Sequence, residues 1–224
     1  MRIFSFIWLP SSPSEAEDRL LTLQIFFKSF LISGDESRNS FINFELSINT
    51  KMEQYVCLKK TPEVEKLSSS LGYTTTFYEG DDFAFINGKS PAQINAQIQK
   101  NKGKKLIYIA SSEEMLRYVL SKTQILLIMG VEKIHHHDSL HHPRGGIDDV
   151  TCTIAKDQEK TFVFSFADIL TSSSRASLLT RIRFNISLCR WYKVKTLFST
   201  FAKTKEEIRS AKDLASFWQV LNKH

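Results

Sequence analysis

The stretch KKLIYIASSEEMLRYVLSKTQILLIMGV (residues 104–131) decides how the chain folds. Its first part, KKLIYIA (104–110), is an apolar, β-prone run and reads as a strand. SSEEMLRYVLSK (111–122) opens on serines and acids and reads as a helix, and TQILLIMGV (123–131) is apolar enough for a buried strand. A helix between two buried strands carries the chain back across a sheet, so the two strands run parallel.

The same grammar extends in both directions. Upstream lie a strand at QYVCLK (54–59), a helix at TPEVEKLSSSLG (61–72), a strand at YTTTFYE (73–79), a short strand at FAFI (83–86) and a helix at SPAQINAQIQKNKG (90–103). Thr61 with Pro62 opens the first of these helices and Gly72 stops it; Ser90, Pro91 and Gly103 do the same for the second. Downstream follow a helix at 146–159, a strand running into a loop at TFVFSFADIL (161–170) and a long amphipathic helix at 173–194. A strand at KTLFST (195–200) and a helix at 210–223 complete the order. The long helix places Leu178, Ile182, Asn185, Ile186 and Cys189 near one face, with a serine among 172–174 as its cap.

Strand and helix alternate about six times, which predicts an α/β protein. Neither G-x-G-x-x-G nor G-x-x-x-x-G-K-[ST] occurs, which disfavours nucleotide-binding open sheets. The expectation is a TIM-barrel-like (βα) barrel of fewer than the usual eight units, a single domain spanning residues 52–224. Residues 1–51 lack the regular order and read as an N-terminal extension, with one helical pattern at SPSEAEDRLLTLQIFFKSFLI opened by Ser14 and Glu17. The start MRIFSFIWLPSSPSEA has a short apolar core and no clear small-x-small cleavage pattern, so it reads as non-secretory. The stretch at 20–32 is interrupted by Gln24 and Lys28 and is too short to span a bilayer, so no membrane association is expected. Cys57, Cys152 and Cys189 are far apart, odd in number and form no CxxC, which disfavours a disulfide framework and suggests a reducing, cytoplasmic setting.

Charge is uneven along the chain. Twelve Lys or Arg against four Asp or Glu give residues 160–224 a formal charge of +8, while the whole chain carries +6. A basic C-terminal third on a near-neutral body points to a polyanion, most plainly nucleic acid. Within it, RIRFNISLCRWYKVK (181–195) interleaves Arg181, Arg183, Arg190, Lys193 and Lys195 with Phe184, Trp191 and Tyr192, a pattern able to reach phosphates and stack on unpaired bases.

The stretch EKIHHHDSLHHPRGGIDDV (132–150) holds five of the six histidines: His135, His136, His137, His141 and His142, with Asp138 among them. Imidazoles and a carboxylate are zinc or manganese ligands by chemistry. Three consecutive histidines, however, do not converge on one ion without contorting the backbone, and the second ligand cluster that a two-metal hydrolase needs is missing. The loop reads as a polar segment near phosphates. Ser199 and Thr200 end a strand, with no histidine placed to make either a nucleophile; the plain expectation is that they satisfy helix amides.

Taken continuously, residues 144–222 resemble ribonuclease P protein component 3, the archaeal counterpart of the eukaryotic thirty-kilodalton subunit. RGGIDDVTCTIAKDQEKTFVFSFADIL and RASLLTRIRFNISLCRWYKVKTLFSTFAKTKEEIRSAKDLASF follow that family's order of motifs. Gly146, Ile147, Asp148, Ser165, Asn185, Ser199, Thr200 and Asp213 are among the matching positions, and TPEVEKLSSSLGY resembles the family's first helix. Phe201 stands where the family has a small residue, which would crowd that strand end. Ala211 stands where a proline is usual, and residues 1–51 have no counterpart.

The resemblance implies a barrel related to the polymerase-and-histidinol-phosphatase (PHP) metallohydrolases that has lost their metal ligands. It implies a protein subunit of ribonuclease P, which removes the 5′ leader from precursor tRNA, with catalysis and Mg²⁺ in the RNA and no cofactor on this chain. Implied partners are the catalytic RNA, precursor tRNA indirectly, a small RRM-like protein subunit and the other ribonuclease P proteins. No catalytic residue is expected here; the candidate RNA contacts are Arg175, Arg183, Arg190, Lys203, Arg209 and Lys212. The competing expectation is a PHP-type metal-dependent phosphoesterase acting through the His135–His142 loop.

Overall fold

The computed structural model describes residues 52–135, 137, 138 and 143–223. The extension 1–51, its expected helix, and His136, His141 and His142 lie outside the described residues. The strands are β1 (Glu53–Val56), β2 (Thr75–Tyr78), β3 (Phe83–Ile86), β4 (Lys105–Ile109), β5 (Leu127–Met129), β6 (Thr161–Ser165) and β7 (Lys195–Ser199). Among them lie helices α1 (Pro62–Ser70), α2 (Pro91–Lys100), α3 (Glu113–Lys122), α4 (Asp149–Asp157), α5 (Phe166–Thr171), α6 (Arg175–Trp191) and α7 (Ala211–Asn222).

The helix starts follow the expected chemistry. Thr61, Ser90, Ser112 and Asp148 each accept a hydrogen bond from the backbone N–H three residues on, filling one of the donors that a helix N-terminus leaves open. Gly72 and Gly103 sit past their helices at φ +89° and +88°, where a side chain would be strained.

All strand pairs are parallel, as the 104–131 unit requires. They form two ladders, a pair β1–β2 and a five-stranded sheet ordered β3–β4–β5–β6–β7, and the described residues do not form a closed barrel. Two local features interrupt the ladder. Between β2 and β3 a turn through Gly80 (φ +89°) leaves one bridge, Glu79 to Phe83. Beyond β7, Phe201 takes φ +46°, out of the extended region, so β7 meets β1 through single contacts. Those contacts are specific. Ser199 Oγ accepts from Tyr55 N (2.8 Å), Thr200 Oγ1 donates to Tyr55 O (3.1 Å), and Cys57 N donates to Ala202 O (2.8 Å). The two hydroxyls therefore serve strand backbone rather than helix amides.

Side chains alternate across the strands. Tyr108, Ile128, Phe162 and Phe164 pack toward the helices with Leu116, Leu120, Ile182 and Cys189. Ile107, Met129 and Val163 point the other way and meet Tyr55, Phe83 and Phe201 in a second core. Burial on both faces is why these strands read as continuous apolar runs.

Three local expectations are corrected. The strand at 123–131 shortens to β5, because Lys160 Nζ takes the carbonyls of Thr123 (2.7 Å) and Ile125 (2.8 Å) out of the ladder. The segment after β6 is a helix, not a loop, because Ser165 accepts from Asp168 N (3.2 Å) and caps α5. Helix α6 has Ser174 at its cap position with no side-chain cap bond; its first turn is instead tied to α5 by Arg175.

Gly146 has φ +85°, and a Cβ there would lie 1.9 Å from the Val131 carbonyl oxygen. Gly146→Ala is expected to lower unfolding free energy by about 3 kcal/mol through this clash and the backbone conformation. Urea denaturation followed by circular dichroism measures it.

Candidate functional site

Parallel strands bring all their C-terminal ends to one edge, and a cavity of about 520 Å³ opens there. Each strand, or the residue or two after it, supplies lining: Cys57, Glu79, Phe85, Ile109, Met129, Ser165 and Phe201 in chain order. Lys133, Asp168 and Lys203 complete the polar set. The polar groups largely engage one another. Lys133 Nζ lies 2.6 Å from Asp168 Oδ2, and Ser165 Oγ is occupied by its cap bond. Burial, and next the Glu79 carboxylate, push the Cys57 thiol up to about 12, so it stays protonated at neutral pH and is no nucleophile. The cavity does not present an activated nucleophile.

A second cavity of about 460 Å³ shares Lys133 and Asp168 and extends to His135, His137, Asp138 and Arg181. Arg181 organises it. Its Nε donates to Asp138 Oδ1 (2.7 Å) and its Nη1 to the carbonyls of Glu132 (3.2 Å) and His135 (2.5 Å). Asp138 Oδ1 also accepts from Arg144 N (2.9 Å); these bonds, Arg181's first, hold its carboxyl below the usual carboxylate range. His135 Nε2 faces Glu113 Oε1 at 2.9 Å. The described part of the histidine loop is thus tied down by an arginine and a glutamate. Among the described residues no three His, Cys, Asp or Glu side chains converge in a metal-ligating group.

Glu132 lies beside this cavity, 1% exposed, and its Oε2 has no hydrogen-bond partner. Burial raises its carboxyl to about 7.

The candidate RNA contacts do not gather in one place. Arg183, Arg190, Lys203 and Lys212 are exposed. Arg175 donates to the carbonyls of Ile169 (2.9 Å) and Leu170 (2.7 Å), closing the end of α5. Arg209 donates to Glu206 O (2.6 Å) and is half-buried. Arg175 and Arg190 stand at opposite ends of α6, about 22 Å apart along the axis. The set therefore divides between the two edges of the sheet.

The motif residues have architectural tasks. Asp148 caps α4 and meets Arg117 at 2.9 Å, and Ile147 is buried. Asn185 Nδ2 donates to Gly145 O (2.8 Å) inside the core, where a Cβ on Gly145 would strike Asn185 Oδ1. Ser165 caps α5, Ser199 and Thr200 clasp Tyr55, and Asp213 lies in the first turn of α7, its N–H donating to Ser210 Oγ (3.1 Å). From the sequence alone Arg181 reads only as one of the basic residues of its helix. A signal existed: it falls on the buried stripe, three after Leu178 and four before Asn185.

No protein-family model and no curated protein matches the chain. Among solved structures, it is similar to a chain of the cryo-EM structure of archaeal ribonuclease P with mature tRNA. The TM-score is 0.54 at 20% identity, over 75% of this chain and 72% of that one. What the two share is the fold. No helix among the described residues is long and apolar enough to cross a membrane.

Glu132 gives a pH test. Its folded pKa lies above the ordinary glutamate value, so the folded state holds the extra proton between about 4.5 and 7. The stability this adds is fully present below the lower value and lost as pH rises through the upper one. Glu132→Gln is expected to flatten the fall in urea midpoint between pH 5 and 7.5, leaving the variant more stable than wild type at the upper end. An unchanged fall would show that another group causes it.

Proposed function

We propose that the chain is a noncatalytic protein subunit of ribonuclease P, of the component 3 type, that binds and supports the RNA that cleaves precursor tRNA. The observation that carries the reading is the fold shared, over three quarters of the chain, with a chain of an archaeal ribonuclease P structure. The +8 charge of residues 160–224 supports it. We read the two parallel ladders as a TIM-like barrel of seven strands, PHP-related, interrupted at Gly80 and at Phe201.

In this role the exposed cations Arg183, Arg190, Lys203 and Lys212 neutralise RNA phosphates and lower the repulsion that opposes a compact RNA fold. Arg175 and Arg209 contribute chiefly by fixing helix ends. The RNA would hold the Mg²⁺ that activates water, and the chain itself would carry no cofactor. Its partners would be that RNA, precursor tRNA indirectly, an RRM-like subunit and the other ribonuclease P proteins, in the cytoplasm.

The test is reconstitution of precursor-tRNA cleavage with and without this chain. Omission is expected to raise the Mg²⁺ concentration needed for half-maximal cleavage. Affinity for the RNA should fall steeply with salt, by about 0.7–0.9 in log–log slope per phosphate neutralised. Cleavage indifferent to the chain, or salt-insensitive binding, would sink the proposal. EDTA-sensitive phosphoesterase activity of the isolated chain, lost when the histidines of 135–142 become alanine, would replace it with the metallohydrolase reading.

A further inference from the structure

Because every strand is parallel, the N-terminal ends of β4 to β7 also share one edge, opposite the cavity of Cys57 and Lys133. The register aligns the starts of β5, β6 and β7, with β4 beginning two residues earlier: Ile107 pairs with Leu127, Leu127 with Thr161, and Thr161 with Lys195. The end of α6, where the chain turns into β7, sits on this edge and carries Trp191, 82% exposed. An indole in water at a helix end is unusual for a residue that other folds bury. The next strand but one begins beside Leu126, itself 54% exposed.

The surroundings of Trp191 are cationic. Arg190, Lys193 and Lys195 flank it in the chain and are all exposed. Lys193 occupies the left-handed position that closes α6 (φ +58°), where glycine is favoured, with Val194 N donating to Cys189 O (2.8 Å). Further along the edge, Lys102 and Lys105 line a cleft of about 540 Å³, and Lys105 Nζ lies 3.4 Å from the Phe77 ring centroid. Asp157, at the end of α4, and Glu159, in the turn before β6, are the exposed acids where these helices turn into strands.

The ion pairs sharpen the contrast. Among the described residues they join Lys60–Glu65, Arg117–Asp148, Lys133–Asp168, His135–Glu113, Arg181–Asp138 and Lys205–Glu63. Their members lie in segments leaving strand C-termini or in the helices those segments feed. Lys102, Lys193 and Lys195 enter none of these pairs. An exposed aromatic ring set among unpaired cations complements a chain with anionic links and bare π-faces, which is single-stranded nucleic acid.

We infer that the N-terminal edge of the β4–β7 sheet is a docking surface for an unpaired stretch of RNA, with Trp191 stacking on a base and Lys193 and Lys195 holding the adjoining phosphates. This rests on the RNA-binding role proposed above and names a surface for it. The duplex is the poorer ligand, because its bases are already stacked on one another and leave no free face for the indole.

The experiment titrates the full chain with a single-stranded RNA of about twelve nucleotides and with the duplex of the same sequence, following tryptophan fluorescence and anisotropy. Trp191→Ala is expected to weaken single-strand binding about tenfold and to remove most of the quenching, with Trp191→Phe retaining much of the affinity. Lys193→Glu should lower the salt slope by about one, while Trp191→Ala leaves the slope unchanged. Circular dichroism should show all three variants folded, since these side chains are exposed. Equal single-strand affinity for wild type and Trp191→Ala overturns the inference while leaving the RNA-binding role standing. Wild type that binds neither RNA defeats both. Loss of association with another protein of the particle on Trp191→Ala, with RNA binding intact, also overturns it and assigns the edge to protein.

Discussion

The backbone of Tyr55 is held by residues 144 to 146 positions away, and the architecture depends on that clasp. Ser199 Oγ takes its N–H, while Thr200 Oγ1 and Phe201 N share its carbonyl. These groups are buried, so leaving them unpaired would cost about 1–3 kcal/mol each. The clasp brings the first described strand against the last, and both ladders then close over one core. Tyr55, Phe83 and Phe201 meet in that core, with the Tyr55 and Phe201 rings stacked 5.7 Å apart. Phe201, which the family resemblance marked as a crowding departure, instead fills the space between β1 and β3, at the expense of a left-handed backbone.

The order of elements was legible because the sequence is strongly punctuated. Thr61-Pro62 and Ser90-Pro91 open helices where expected, and Gly72 and Gly103 end them. Two misreadings share a physical source: a side chain takes over a backbone group. Lys160 removes two carbonyls from β5, and Ser165 turns an apolar run into a helix. Barrel closure was illegible for a related reason. Hydrophobic alternation says which face is buried, but whether neighbouring ladders join depends on single residues such as Gly80 and Phe201.

The distribution of charge was legible in the sequence, and the contacts of the charged side chains were not. Arg175, Arg181 and Arg209 look like Arg183 and Arg190 in the sequence, yet the first three spend guanidinium donors on backbone carbonyls. Arg181 is the extreme case, nine-tenths buried and binding a carboxylate and two carbonyls at once. A planar five-donor fork suits that task, whereas a lysine could not span the three acceptors. The matched motif positions likewise proved to be caps, close approaches and the Tyr55 clasp. A family pattern of this kind reports the conditions for the fold and says little about where a partner docks.

The two edges of the sheet differ in how much freedom they retain. At the C-terminal edge, long segments carry the ion pairs, so a polyanion that engages Lys133, Arg181 or Lys205 must displace carboxylates already bound to them, with Lys203 and Lys212 among the exposed cations outside these pairs. At the N-terminal edge the turns are short and closed by backbone bonds, as in Lys193 N to Arg190 O and Val194 N to Cys189 O. Their cations project from fixed backbone and, among the described residues, pair with no carboxylate. Binding there loses less conformational entropy and breaks fewer existing contacts, and both lower the free-energy cost of association. The same parallel topology that gathers the cavity at one edge leaves the other edge better prepared for an anionic partner.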